Sequence, residues 1–405
     1  MIRALLNALA LGVVAAAVPS TDFNSRSFII DGKPTILLSG AVHYERVLPA
    51  DWNRTFALMA EMGLNTVQTY VMWNFHEHKR GSTTFAGRAD IVRFVRTAQA
   101  HGLYAVVRIG PYICGEYFFG GLPLWLRDSG AQCFRCSDPV YMRESIAWVE
   151  RLVHELVAKR TLQPQGGNVV MLQIENEWNG GGTEVTDYLQ ATVDAARNIT
   201  TMVPWNLCHD VDQCTAINAA PGAPNDGKGR AICTINGFWE EERVIDPHQP
   251  SVAWLNALRK GNPQQPAMWT EDQGWFDQWG VAQRVRYSSD QAYGIMRAFA
   301  NGLSYHNFYM VTGGSNFGLQ GGGQTVTAYA PDTVIDYLLL RHQPRFDFYG
   351  ALHRAIQSVA PTLLASVKIP PAVPLNTSSS SSRRRRRREA RAPEKVSPLL
   401  FTVTF

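Results

Sequence analysis

The chain has 405 residues, 45% hydrophobic and 18% charged, the composition of a packed globular protein with one large domain or two ordinary ones. Its net charge of +4 is local: eight basic and two acidic residues between 383 and 395 contribute +6, so the remainder carries −2. A body of that charge excludes a basic nucleic-acid-binding surface, and no nucleic-acid partner is expected.

The N-terminus reads MIRALLNALALGVVAAAVPS. Arg3, the apolar run behind it and the small residues Ala15–Ala17 form the pattern of a secretory signal peptide over residues 1–19. It is too short and wrongly flanked for a membrane span, and no later segment is long and apolar enough to be one. The chain is therefore expected to be secreted, or delivered to a lysosome or vacuole, with no membrane partner once the signal is removed. Six cysteines (Cys114, Cys133, Cys136, Cys208, Cys214 and Cys233) permit up to three disulfides in that compartment, with Cys208 bridging Cys233 or Cys214 as the expected region. Cys133 and Cys136 lack the second pair that a zinc site needs. Sequons at Asn53, Asn198 and Asn376 fit the same route.

Next comes FIIDGKPTI (28–36), whose Asp-Gly turn between apolar runs predicts a hairpin closing one end of the fold. Eight strand candidates follow, at 35–44, 65–73, 104–112, 168–177, 203–208, 232–238, 266–271 and 303–314. Helical patterns near 50–62, 88–101, 139–159, 184–198, 248–260, 282–301 and 345–358 separate or follow most of them. The strand runs are continuously apolar, as in parallel sheets covered on both faces. Eight such units over residues 20–365 predict an α/β fold, a (β/α)8 TIM barrel. A doubly wound open sheet would be favoured by a glycine-rich phosphate fingerprint after the first strand, and none is present. Residues 366–405 are Pro-, Ser- and Arg-rich and read as a low-complexity, disordered tail.

In such a barrel the chemistry sits at the C-terminal strand ends. Those ends supply His43 and Tyr44; Tyr70, Trp73, Asn74 and Glu77; Tyr112 and Glu116; Asn176 and Glu177; Trp269 and Glu271; and Tyr309. No cluster has metal-ligand spacing, so no metal or cofactor is expected, and His43 and His76 read more simply as structural histidines. A strand-end carboxylate is more often half of an ion pair than a catalyst. Two on facing strands, Glu177 and Glu271, beside the amide of Asn176, are what retaining glycoside hydrolysis requires. Glu175 precedes Glu177 by two residues, so strand parity would put both on one face, with Glu175 in a supporting position. The eleven tryptophans suit sugar stacking and equally suit core filling.

Six segments carry a resemblance: SGAVHYERV (39–47), NTVQTYVMWNFHE (65–77), RIGPYICGEYFFGGLPLWL (108–126), GGNVVMLQIENEWNG (166–180), MWTEDQGWFDQWG (268–280) and GGSNFG (313–318). In order and spacing, from about residue 25 to 365, they resemble the β-galactosidases of glycoside hydrolase family 35. The resemblance implies a retaining exo-β-galactosidase acting on terminal β-galactose of galactosides, polysaccharides or glycans, without a cofactor. It implies Glu177 as acid/base and Glu271 as nucleophile, with Asn176 on the sugar 2-hydroxyl. It further implies sugar-binding positions at Tyr70, Gly115, Glu116 and Tyr309. Two departures stand out. The family's YDYDAP-like segment is replaced by TAYAPDTVIDY, where Tyr329 is the available substitute. The family's usual C-terminal β-sandwich domains are replaced by the low-complexity tail. A glycosidase of different sugar specificity, or a non-catalytic glycan-binding product, is the alternative reading.

Overall fold

Asp31 and Gly32 both hold positive φ, 51° and 73°, which is the geometry of the tight turn that an Asp-Gly pair favours. The turn joins β2 (Phe28–Ile30) to β3 (Lys33–Thr35), and β2 also pairs antiparallel with β1 (Thr21–Phe23), a strand the sequence pattern did not announce. The computed structural model describes residues 19–208, 211–237, 253–274, 287–318, 321, 327–330 and 332–365. The signal segment, the sequon at Asn376, the Arg-rich tail and the second half of MWTEDQGWFDQWG lie outside the described residues. All described residues belong to one compact unit, Met1–Ala372; a second unit, Val373–Phe405, lies outside them.

The eight predicted strands appear as β4 (Leu37–Ala41), β5 (Thr66–Tyr70), β6 (Tyr104–Gly110), β7 (Val169–Ile174), β8 (Trp205–Cys208), β9 (Ile232–Gly237), β10 (Ala267–Gln273) and β11 (Leu303–Tyr309). They are parallel and close into a barrel in the order β10-β11-β4-β5-β6-β7-β8-β9. This (β/α)8 arrangement excludes the open doubly wound sheet. Alternation along each strand sorts its side chains. Leu38, Val67, Val107, Leu172, Leu207 and Phe308 face outward into the helical layer. Leu37, Val106, Met171, Ile232, Met268 and Tyr305 face inward and pack against Phe23, Phe28 and Ile30, so the hairpin sheet plugs the N-terminal end of the barrel.

The helices fall close to the predicted spans: Trp52–Glu61, Ile91–Ala100, Pro139–Ala158, Ala191–Ile199, Ala253–Gly261, Ser288–Ala300 and Arg345–Ala365. The Pro139–Ala158 helix starts on Asp138, whose carboxylate accepts from the backbone N–H of Val140 and Tyr141 at 2.9 Å each, with proline in the first turn. Its Trp148 is fully buried, stacks on Trp73 at 5.8 Å and donates its indole N–H to the Ile109 carbonyl. Besides the single turn Trp73–His76, the helix Val211–Ala219 was not anticipated. Only Cys214 and Ile217 of it are buried, too few to make an apolar stripe, and a disulfide from Cys214 to Cys233 of β9 ties it down instead.

That bridge corrects the expected pairing of Cys208. Cys208 points into the barrel, 3.7 Å from the Thr270 hydroxyl, whereas Cys214 and Cys233 meet in the outer layer. Cys133 and Cys136 pair with each other, and Cys114 and Cys208 are free. No helix among the described residues is long and apolar enough to cross a membrane. Truncating Trp148 to alanine should remove about 3–5 kcal/mol of stability, because the helix and barrel cannot close the void. Urea unfolding reads this, and a loss below about 1 kcal/mol would show that the stacked indole pair is not a core contact.

Candidate active site

A belt of polar side chains crosses the middle of the barrel, where a packed apolar layer would be ordinary. Ser39 donates to Asn307 at 2.7 Å, Asn307 to Gln68 at 3.1 Å, and Arg108 to Gln68 at 3.1 Å. On the other side Asn206 donates to Gln173 at 3.0 Å, and Thr270 to Thr234 at 3.0 Å. Every member is buried, so each depends on these partners in place of water. Above the belt, toward the C-terminal strand ends, lie the predicted site residues.

Glu271 reaches the interior because β10 bulges. The register of β10 slips between Trp269 and Asp272 against β11, and between Trp269 and Glu271 against β9. Thr270 and Glu271 consequently both point inward, while Asp272 turns out to His306 and Gln291. A bulge of this kind re-aims a side chain next to a site. One Glu271 oxygen is held by the Tyr70 hydroxyl and by Arg108, forming an ion pair with both side chains almost wholly buried. Arg108 also donates to the side-chain oxygen of Asn176, to which Tyr70 donates at 3.1 Å, and its guanidinium lies 4.0 Å from the Tyr70 ring centre. Burial opposes the charge of Arg108, but Tyr70 and Glu271 outweigh it and raise its pKa.

The segment after β7 does not continue as a strand. It ends at Ile174, and Glu175 and Glu177 take left-handed φ of 56° and 45°. Strand parity therefore does not govern them, and the expectation that they share a face is corrected. Glu175 turns away into a bidentate pair with Arg135 at 3.0 and 2.8 Å, with the Tyr188 hydroxyl donating to it at 2.6 Å. Glu177 opens to the mouth, where Asn236 of β9 donates to it at 2.9 Å. Desolvation by the walls of the mouth and the charge of Glu271 raise the pKa of Glu177, which Asn236 and Arg108 partly offset.

The loop after β6 brings Glu116 to the same mouth. Its carboxyl accepts from Tyr329, whose hydroxyl lies 2.9 Å from that of Tyr309. Burial raises the pKa of Glu116, the Tyr329 hydrogen bond and Arg46 lower it, and Glu271 raises it again. Shared partners join the three carboxyls: Glu116 through Tyr329 and Tyr309 to the Tyr70 that holds Glu271, and Glu177 through Asn236 to Thr270 beside Glu271. His43 stacks on Tyr329 at 5.5 Å, and burial together with Arg46 and Arg108 depresses its pKa, which keeps it neutral. Gly115, at φ 59°, packs where a Cβ would lie 3.7 Å from the His43 ring. Tyr329 is seated by close backbone approach: a Cβ at Gly313 would lie 1.2 Å from the Tyr329 carbonyl oxygen. Only glycine fits there, which gives the GGSNFG segment its physical purpose.

The sequence profile described as Glycosyl hydrolases family 35 matches residues 27–357. The chain belongs to glycosyl hydrolases family 35. It is 32% identical over 357 residues to Beta-galactosidase 8 of Arabidopsis thaliana, an alignment covering 87% of this chain and 38% of that relative. The chain thus spans well under half the length of the curated relative it matches. Among solved structures, the beta-galactosidase of the psychrophilic Marinomonas ef1 superposes with a TM-score of 0.58 at 10% identity, over 81% of this chain and 60% of that one. The beta-D-glucuronidase of Dictyoglomus thermophilum gives 0.55 at 12%, over 83% and 53%. Likeness at such identities concerns the fold alone.

In this family 35 chain, Tyr70, Gly115, Glu116, Asn176, Glu177, Glu271 and Tyr309 all gather at one mouth. His43 joins them against Tyr70, Tyr309 and Tyr329, whereas several other strand-end residues lie elsewhere. Trp73 and Glu77 belong to the outer layer, where the indole donates to Glu77 at 2.9 Å and Arg151 pairs with Glu77 at 2.7 Å. Tyr44 bonds His76 there, and Trp269 donates to its neighbour's backbone, the carbonyl of Glu271, at 2.8 Å. Among the described residues no group of His, Cys, Asp and Glu could hold a metal ion. Sequence reasoning missed Arg108, Asn236 and Arg46. Arg108 had a signal: it is the one charge inside the apolar run YAVVRIGPY.

Replacing Arg108 with methionine should cost about 3–5 kcal/mol, since it strands Glu271 as an uncompensated buried group. Adding Glu271→Gln to that variant should restore a large part of the loss. A double-mutant cycle by urea unfolding measures it, and strictly additive losses would contradict a coupled pair.

Proposed function

We propose that the chain is the catalytic barrel of a retaining exo-β-galactosidase, with Glu271 as nucleophile and Glu177 as acid/base. The observation that carries this is the carboxyl cluster. Glu271 is buried against a fixed cation, and Glu177 faces the open mouth with its pKa raised, in part by the charge of Glu271. Two carboxyls in surroundings this different, one ion-paired and one open to the mouth, suit paired nucleophile and acid roles. Glu271 would attack the anomeric carbon while Glu177 gives its proton to the departing oxygen. Glu177 would then take a proton from the water that releases the sugar. Asn176, fixed by Tyr70 and Arg108, is suited to the hydroxyl beside the reacting carbon, and Glu116 with Tyr329 and Tyr309 to the remaining hydroxyls. The aromatic wall of His43, Tyr309 and Tyr329 closes one side, which suits a terminal sugar. The 32% identity to a plant protein named a beta-galactosidase supports galactose over other sugars. The signal-like N-terminus and the disulfides support a secretory destination.

Aryl β-galactoside hydrolysis should fall about a thousandfold or more in Glu271→Gln. A 2-fluoro-galactoside should label the wild type at Glu271, read by peptide mass. Label on another residue, or an unimpaired Glu271→Gln, would remove the assignment.

The acid must carry its proton, so kcat/KM should be lost as pH rises through the raised pKa of Glu177, above the ordinary carboxyl range. Asn236→Ala deletes a hydrogen bond that favours the carboxylate, so it should move that alkaline limb upward. A limb that stays or moves down would show that another group sets it.

A further inference from the structure

The segment that carries Asn176 and Glu177 is gripped by one residue of a neighbouring loop. Arg135 lies just before the Pro139–Ala158 helix. Its side chain forks onto the Glu175 carboxylate at 3.0 and 2.8 Å and donates to the Asn176 carbonyl at 2.6 Å. Its own carbonyl accepts the indole N–H of Trp178 at 3.0 Å. Contacts on Glu175, Asn176 and Trp178 thus bracket Glu177. The Tyr112 ring backs the guanidinium at 3.8 Å. Arg135 makes these contacts with φ at 56°, a left-handed conformation that an arginine rarely adopts unless its surroundings impose it.

The constraint on Arg135 is covalent. Cys133 and Cys136 are bonded to each other three positions apart, closing a small ring around Phe134 and Arg135. Such a ring narrows the dihedrals open to the residues inside it. The flanks are held independently. Phe134 meets the rings of Phe119 at 5.4 Å and Tyr141 at 5.9 Å, and Ser137 donates twice to Glu184, at 3.0 and 2.9 Å. Cutting the bond therefore frees Arg135 without releasing the loop or the helix behind it. Cys133 is exposed and open to an attacking thiolate, whereas Cys214 and Cys233 are both buried. Exposure of this kind separates a labile disulfide from a structural one.

We propose that the Cys133–Cys136 disulfide is a redox-sensitive clip that keeps Arg135, a positioning residue, on the acid/base segment, so that its reduction loosens Asn176 and Glu177 and slows proton donation. The catalytic part rests on the function proposed above; the clip itself does not. A dithiol is the reductant. Its two thiols become a disulfide, and their two electrons and two protons convert the bridge to two cysteine thiols. Misplacing a proton donor by about one ångström is enough to cost rate steeply, so the segment need only loosen.

The experiment compares the full chain oxidised, the same chain reduced with dithiothreitol, and a Cys133→Ser/Cys136→Ser variant that removes only the bond. Alkylation and peptide mass report the state of each cysteine; alkylation of Cys133 and Cys136 in the untreated protein would mean that no clip exists. Reduction should raise amide hydrogen exchange severalfold in the peptide spanning residues 174–179 and leave the strand Tyr104–Gly110 unchanged. For phenyl β-galactoside, whose leaving group needs a proton, kcat/KM should fall about tenfold. For dinitrophenyl β-galactoside, whose leaving group departs without one, it should stay within about twofold. The serine variant should match the reduced chain and ignore the dithiol, and reoxidation of the wild type should restore both readings. Unchanged exchange, or an unchanged kcat/KM for phenyl β-galactoside in an active enzyme, would overturn the proposal. Equal losses on the two substrates would also overturn it, since they mark a general staple and not a positioning device. If the oxidised chain cleaves neither substrate but exchange at 174–179 still rises on reduction, the catalytic reading fails and the clip stands.

Discussion

A guanidinium with almost no access to solvent sits at the centre of the barrel mouth, and the surrounding structure is organised to tolerate it. Isolating such a charge from water is far costlier than the net stability of a domain, so it persists only where countercharge and acceptors converge. Glu271 supplies the countercharge, Gln68 and Asn176 the acceptors, and Tyr70 an aromatic face. Gln68 and Tyr70 come from β5, Glu271 from β10 and Asn176 from the loop after β7. The requirement therefore fixes the relative positions of β5, β6, the end of β7 and β10. It also gives the bulge in β10 its purpose: without the slip near Glu271, strand parity would point Asp272 inward and leave Arg108 without its partner.

The acidic residues at this end divide by what faces them. Glu175 is neutralised by Arg135 in a fork-to-fork geometry and tied to Tyr188, which makes it a brace between the β7 end and the loop carrying Arg135. Glu271 is bound to Arg108. Among the described residues Glu177 has an amide as its close partner, and it opens to solvent and lies in the field of two other carboxyls. The left-handed φ at Glu175 and Glu177 separates these neighbours, at a cost of about 1–2 kcal/mol each. Strain of this size concentrates where side-chain direction matters more than backbone comfort.

The fold was largely legible because continuous apolar runs bounded by turn residues are a local property of the sequence. β5, β6 and β11 start within about a residue of their patterns, and the Asp-Gly hairpin forms where its dipeptide predicts. The two catalytic candidates were legible as carboxylates at strand ends. Their aim was not, since it depends on a bulge and on two left-handed residues that follow no period. The role of Arg108 required knowing which strand face turns inward, and that of Asn236 required knowing that β9 lies beside Glu177. The Cys208 pairing failed for the same reason: spacing along the chain says nothing about which side of a strand a thiol occupies. The helix at Val211–Ala219 escaped because a covalent bond holds it where an apolar stripe would ordinarily do so.

One further cation joins these parts. Arg46 donates to His43, to the Gly115 carbonyl at 2.8 Å and to Asn316 at 2.8 Å, gathering the segments that follow β4, β6 and β11. Its guanidinium covers the Tyr329 ring at 3.8 Å and the Tyr117 ring at 5.4 Å. Tyr329 belongs to the carboxyl pocket and Tyr117 packs with it, Tyr70 and Tyr309, so one side chain ties this aromatic cluster to the loops that carry it. The absence of a Cβ at Gly313 and Gly314 lets the chain pass close to both Tyr329 and the Arg46 carbonyl. The loops after β4, β6 and β11 are thus joined by one buried cation as well as by backbone hydrogen bonds such as Ser315 N–H to the Arg46 carbonyl. This explains how a mouth made of irregular segments can hold several hydroxyl-binding groups in register with a rigid barrel.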